Sequence, residues 1–209
     1  MGDYRVSEFE SELSQICEKK KSVEKLIRKK HRNAKDLYRL IRDNSGEYKR
    51  PFMQVYSNRC AYCGFSTDLA PIDYFEIDHY LHKNHSQFKT VADAGIINNI
   101  VLACRACNHN KLNYEIPDSI RETVFPDGEE IKSVFIRDAL YNIIISDKYK
   151  DNPLINEFYY ILKLGAETKR IDYAIMRLKR RQKIETDPNT YMSLGRIIEE
   201  LWKKRSLLL

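Results

Sequence analysis

Cys60-Ala61-Tyr62-Cys63-Gly64, then Glu76-Ile77-Asp78-His79, then Asn98-Asn99-Ile100-Val101-Leu102-Ala103-Cys104-Arg105-Ala106-Cys107-Asn108-His109-Asn110-Lys111: these three pieces, in this order, decide the fold of the 209-residue chain. The two Cys-x-x-Cys pairs, Cys60/Cys63 and Cys104/Cys107, can offer four thiolates to one tetrahedral Zn²⁺. A four-cysteine site leaves no open coordination position, so such a zinc is structural and staples the turn at Cys60 to the start of a helix at Cys107. The 40 residues between the pairs (64–103) exceed a compact zinc ribbon, so the enclosed loop has its own task. Its pattern reads as a strand around Phe75–His79, a polar loop over 82–95, a strand around Ile100–Leu102, and a short helix beginning near the second pair.

The enclosed Asp78-His79 pair carries the chemistry. Adjacent side chains on a regular strand point to opposite faces, so the two share a site only at a strand end or a strong twist. The carboxylate suits a hard divalent cation. An imidazole, with an unperturbed pKa near ~6.5, can take a proton from water. Asn108, in the first turn of the short helix, adds a neutral oxygen. Asp78 and Asn108 together leave positions open for water and phosphate, the manner in which Mg²⁺ is held. His109 would replace Asn108 if the helix register slipped by one. His82 and His85 read as solvated loop histidines, with an extended metal site or a phosphate contact as the alternative.

Composition sets the frame. With 43% hydrophobic and 32% charged residues, the chain is that of a folded protein and not a disordered one. No run of about 18 apolar residues is present, and the N-terminus lacks an apolar signal segment, so a cytoplasmic protein is expected. Four of the five cysteines are paired by spacing, which argues for metal ligation in a reducing compartment. Cys17 is expected on the apolar side of a helix as a small core residue. The net charge of +6 divides unevenly: +5 over 1–50, −5 over 51–130 and +6 over 131–209. An acidic, cation-binding centre between basic arms suits a protein that grips a polyanion.

Three segments follow. Residues 1–50 form a basic helical segment, with helix over about 7–42 in one or two pieces. Phe9, Leu13, Ile16, Cys17, Val23, Leu26, Ile27, Ala34, Leu37, Tyr38 and Ile41 recur at helical spacing, opposite Lys19-Lys20-Lys21 and Arg28-Lys29-Lys30-His31-Arg32. Residues 51–117 are the metal-rich core. Residues 118–209 hold a hairpin of Val134–Ile136 with Tyr141–Ile145 and then three helices. The first is capped by Asn152-Pro153 and stopped by Gly165, the second covers 167–183, and the third starts at Asp187-Pro188. The basic helices 19–32 and 169–183 are expected to supply salt-sensitive grip on nucleic acid.

The stretch Cys60–Lys111 resembles the HNH endonucleases with a zinc-stapled ββα-metal core. The match is carried by Cys-Ala-Tyr-Cys-Gly (60–64), Glu-Ile-Asp-His (76–79) and the run 98–111. The resemblance implies an α+β fold: a small ββα-metal core with a four-cysteine zinc site, an N-terminal helix before it, and a hairpin plus helices after it. It implies a metal-dependent DNA endonuclease in which His79 is the general base, Asp78 a ligand to Mg²⁺ or Mn²⁺, and Asn108 the second ligand, an H-N-N variant. Asn99 would brace the loop and orient the His79 ring. Arg105 and Lys111 would contact phosphate near the scissile bond. One departure is visible: where the family carries Pro three residues after the histidine, this chain has His82. The tail has the character of those on bacterial HNH proteins that pair with an ATPase in antiphage or restriction systems, which makes DNA and a defence-system subunit the expected partners, with an oligomer compatible. The competing reading is a non-catalytic zinc-ribbon module that binds nucleic acid or protein; it has no use for Asp78, His79 and Asn108 together.

Overall fold

The computed structural model describes residues 2–10 and 12–208. Helices α1 (Ile16–Lys30), α2 (Leu37–Asp43) and α3 (Arg50–Val55) lead into strand β1 (Phe75–His79). A long loop holding the short helix α4 (Val91–Ala94) returns the chain as β2 (Ile100–Cys104), and α5 (Arg105–Lys111) follows with no gap. The short helices α6 (Asp118–Arg121) and α7 (Ile131–Val134), a hairpin of β3 (Phe135–Arg137) and β4 (Ile143–Ile145), and helices α8 (Pro153–Ile161), α9 (Glu167–Lys183) and α10 (Pro188–Ser206) complete the fold.

β1 and β2 pair antiparallel, with Phe75 opposite Cys104 and His79 opposite Ile100. Every residue of β2 is buried, so this two-stranded sheet is covered on both faces. Two strands alone are marginal in water, and helical cover is what makes the sheet viable. One buried apolar cluster runs from Tyr4 through Phe52, Phe75, Leu102 and Phe135 to Leu164, and so joins the flanks to the centre. A smaller cluster of Ile171, Ile175 and Ile198 packs α9 against α10.

The C-terminal helices begin where the sequence places them. The Asn152 side chain accepts from the Leu154 and Ile155 amides, and Asp187 accepts from Thr190, each followed by proline in the first turn. The N-terminus differs from expectation. Residues 2–10 and 12–15 are turns and irregular chain, and α1 starts at Ile16 after Gln15 adopts a left-handed conformation. Buried ion pairs explain this. Arg5 bonds Asp3 and donates to the Ala61 and Pro126 carbonyls, while Glu10 pairs with Arg59. A helix there would withdraw these groups from their partners. Cys17 also departs from its expected place: it is exposed, and Lys20 instead is buried against Asp127.

Candidate active site and metal centre

The four cysteine sulfurs all lie within 4.8 Å of one another and are buried. Cys63 Sγ and Cys104 Sγ are 3.8 Å apart. Zn–S bonds of about 2.3 Å in a tetrahedron put sulfurs at about that separation, so the donor set and its spacing fit a structural zinc. The first knuckle is shaped by backbone bonds: Cys60 N–H to Phe65 O, Gly64 N–H to Cys60 O, and Ala61 N–H to Leu102 O, the last tying the knuckle to β2. Gly64 has φ +79°, and a Cβ there would meet the Arg5 carbonyl oxygen at 2.4 Å, so only glycine fits. The second knuckle is the β2–α5 junction itself.

A lysine that the sequence placed in a nucleic-acid grip completes this centre. Lys169 of α9 is buried, and its ammonium donates to Cys107 Sγ at 3.2 Å. Burial works to discharge it, but the surrounding cysteine sulfurs hold it charged well above the usual lysine range. Four thiolates outweigh the charge of one Zn²⁺, and this cation partly offsets the negative excess. Nothing in the 167–183 pattern distinguished Lys169 from its solvated neighbours.

Asp78 and His79 end β1 and point to different surroundings. Asp78 is buried; its Oδ2 accepts the Tyr62 hydroxyl at 2.7 Å and its Oδ1 the Lys111 ammonium at 3.2 Å. Burial pushes its carboxyl up, against the pull of Lys111 and the Tyr62 hydroxyl. The Lys111 ammonium also donates to the His79 carbonyl at 2.8 Å and is 1% exposed. Lys111, expected at a substrate phosphate, is thus an interior cation that joins α5 to the end of β1.

The His79 ring stacks on Tyr38 of α2, with centroids 4.0 Å apart and planes at 26°. Burial pulls its pKa down to about 4, with Asp36 opposing and Lys111, Lys83 and Arg42 adding to the fall. The imidazole is therefore neutral at neutral pH. Tyr38 is held in place because the Leu37 and Tyr38 amides both donate to Gly95 O at the end of the β1–β2 loop. Sequence periodicity gave Tyr38 a helix face but not this contact.

Asn99 lies just before β2. Its side chain accepts from Leu81 N–H and donates to Leu81 O and Ala94 O, all at 2.9 Å. It clamps the chain immediately after His79, and among the described residues its side chain bonds backbone only. Asn108 faces β1 and His109 faces solvent, which settles the helix register between them. Asn108 Nδ2 donates to Glu76 Oε2 at 2.5 Å, and Arg105 lies 3.5 Å from Glu76 Oε1 while its guanidinium is half exposed. Glu76 sits two residues before Asp78 on the same strand face, so the face of β1 beneath α5 presents two carboxylates and an amide. Period-two alternation in Glu76-Ile77-Asp78 carried that signal.

A two-stranded sheet crossed by a helix, stapled at its base by four cysteines and ending in a histidine, is the ββα-metal architecture. The family model described as HNH endonuclease matches residues 60–113, a segment that holds all four cysteines of the buried cluster and fits the zinc-binding kind of that domain. No curated protein and no solved structure matches the chain. No helix among the described residues is long and apolar enough to cross a membrane.

Proposed function

We propose that the protein is an endonuclease that hydrolyses DNA phosphodiester bonds with His79 as general base. The observation that carries this is a neutral imidazole stacked on Tyr38 at the end of β1 within the matched segment, in a chain that Asn99 clamps two residues further on without reaching the ring. A neutral ring nitrogen can take the proton of an attacking water, and the stack restricts the ring to one plane. Asp78 and Asn108 are the residues that would hold a divalent cation beside it; their oxygens, with Glu76, form a hard donor set. Such a cation, Mg²⁺ or Mn²⁺, supplies Lewis-acid polarisation of the phosphate and stabilisation of the leaving oxygen when bound. Lys111 already brings one positive charge to Asp78, and Arg105, half exposed on the same helix, is the cation available to meet phosphate from outside. The wider role we propose, within a multi-subunit defence system, rests only on the resemblance of the 118–209 tail to those of bacterial HNH proteins that pair with an ATPase.

The test is plasmid cleavage by the purified protein with Mg²⁺ or Mn²⁺, beside His79→Ala. Metal-dependent nicking that falls at least about a hundredfold in the variant, with zinc content and melting temperature unchanged, is the expected result. A variant that unfolds would make His79 a structural residue, one that cuts like the wild type would place the general base elsewhere, and a folded, zinc-loaded wild type that does not cut would favour the zinc-ribbon binding module.

A further inference from the structure

The loop that leaves His79 carries two histidines that the nuclease chemistry does not use. His85 is 4% exposed and His82 is 11% exposed at its side chain, so neither is the solvated residue expected from the sequence. Their surroundings point to one tautomer. The Asn84 amide donates to His82 Nδ1 and the Gln87 amide to His85 Nδ1, both at 3.2 Å. A neutral imidazole accepting at Nδ1 carries its proton on Nε2. Both Nε2–H groups therefore act as donors, and both face one carboxylate: His82 Nε2 lies 3.3 Å from Glu115 Oε2 and His85 Nε2 3.4 Å from Glu115 Oε1. The same tautomer argues against a metal here, since a ligating Nε2 would need the proton on Nδ1, where a backbone N–H already points.

A third donor converges on the same spot. Arg121 Nη2 lies 3.3 Å from His85 Nε2, so the guanidinium and the imidazole edge sit side by side in one cluster. Arg121 Nη1 donates to Gln87 Oε1 at 2.9 Å, and Nη2 also meets Asp118. Its Nε is buried and has no partner among the described residues. The two acids that answer this cluster, Glu115 and Asp118, are 61% and 86% exposed at their side chains and lie on one short segment. Donors held rigidly inside and acceptors attached loosely from outside are the opposite of a buried structural ion pair.

We propose that His82, His85 and Arg121 form a binding subsite for a backbone phosphate of the nucleic-acid strand, which Glu115 and Asp118 fill in the free protein. Phosphate oxygens match the donors better than carboxylates do, because they can satisfy the imidazole N–H groups and the guanidinium fork at once. The subsite begins three residues after His79, on the loop that leaves β1. The acids act as a tethered competitor that a polyanion displaces. This proposal rests on the nuclease reading, and its test is built on binding so that the two stand apart.

Fluorescence anisotropy with a labelled DNA duplex, all variants carrying His79→Ala so that nothing is cut, reads the subsite directly. Glu115→Gln with Asp118→Asn should tighten binding about tenfold, while His82→Gln with Arg121→Gln should weaken it about tenfold and lower the salt slope by about one. Asp147→Asn, an exposed acid on another element, controls for general charge. Equal tightening by Asp147→Asn, or acid variants that bind no better and melt earlier, would show that the cluster only ties the loop to α6 and would overturn the subsite. Plasmid cleavage without any response of affinity overturns the subsite and leaves the nuclease standing; a protein that neither cuts nor binds DNA overturns both.

Discussion

At the scale of single residues, the interior of the site is set by one ion pair. Asp78 is buried with two partners, Tyr62 and Lys111, and Lys111 has no route to solvent. Removing one member of such a pair leaves the other charge, or its unbonded oxygens, in a dry environment. Lys111→Met is expected to cost about 3–5 kcal/mol of stability, read by urea unfolding. Tyr62→Phe, which removes only a hydroxyl donor, should cost about 1–2 kcal/mol. A Lys111→Met protein as stable as the wild type would place the ammonium in solvent and reopen its role at phosphate. Asp78, His79, Asn99 and Asn108 were legible as candidates because their types and order match the resemblance, and the fold sets them on or beside β1. Tyr38 and Lys169 were not, since each gains its meaning from a partner far along the chain (His79 and Cys107), and no local pattern encodes that, whereas the alternation of Glu76 with Asp78 did place it on the same strand face.

At the scale of elements, the zinc centre does what a larger sheet would otherwise do. Two five-residue strands form few ladder bonds, and their pairing is locked because Cys104 ends β2 while Cys60 and Cys63 reach back across the sheet. The cysteine spacing, the hairpin at 135–145 and the caps of α8 and α10 were all readable, because each is written within a few neighbouring residues. The start of α1 was not: Phe9 and Leu13 continue a helical repeat, but the buried Arg5–Asp3 and Arg59–Glu10 pairs hold the chain before α1 in turns. Tertiary ion pairs outweigh a propensity worth only tenths of a kcal/mol per residue. Cys107→Ala is expected to abolish zinc binding, since three thiolates hold the ion weakly and Lys169 loses its partner. Native mass spectrometry should show one zinc per wild-type chain and none in the variant, and the variant's thermal transition should lose cooperativity. A variant that keeps both its zinc and its transition would mean the cluster is not a single four-thiolate site.

At the scale of the whole molecule, the charge layout and the structure assign the basic arms differently. All seven lysines and arginines of α9 have internal partners: Lys169 meets Cys107, Arg177 meets Glu8, Lys179 bonds the Asp68 carbonyl, Arg180 joins Glu10 and Asp68, Lys183 lies near Asp68, and Arg170 and Arg181 pair along the helix. These cations fasten the C-terminal helices to the N-terminal segment and the zinc knuckle, so they have little charge left for a polyanion. On α1, by contrast, Lys21, Lys25 and Lys29 form an exposed stripe four residues apart, with no acidic partner among the described residues. Counterion release depends on free cations, each phosphate contact adding about 0.9 to the salt slope. Replacing Lys21, Lys25 and Lys29 by alanine should therefore weaken DNA binding and lower the slope by about two to three, with the melting temperature unchanged. Arg180→Ala should do the reverse, leaving the slope intact while lowering the melting temperature, because it removes a partner of the buried Glu10 carboxylate. If Arg180→Ala flattens the slope and the lysine stripe does not, the nucleic acid runs along α9 and the pairing seen there opens on binding.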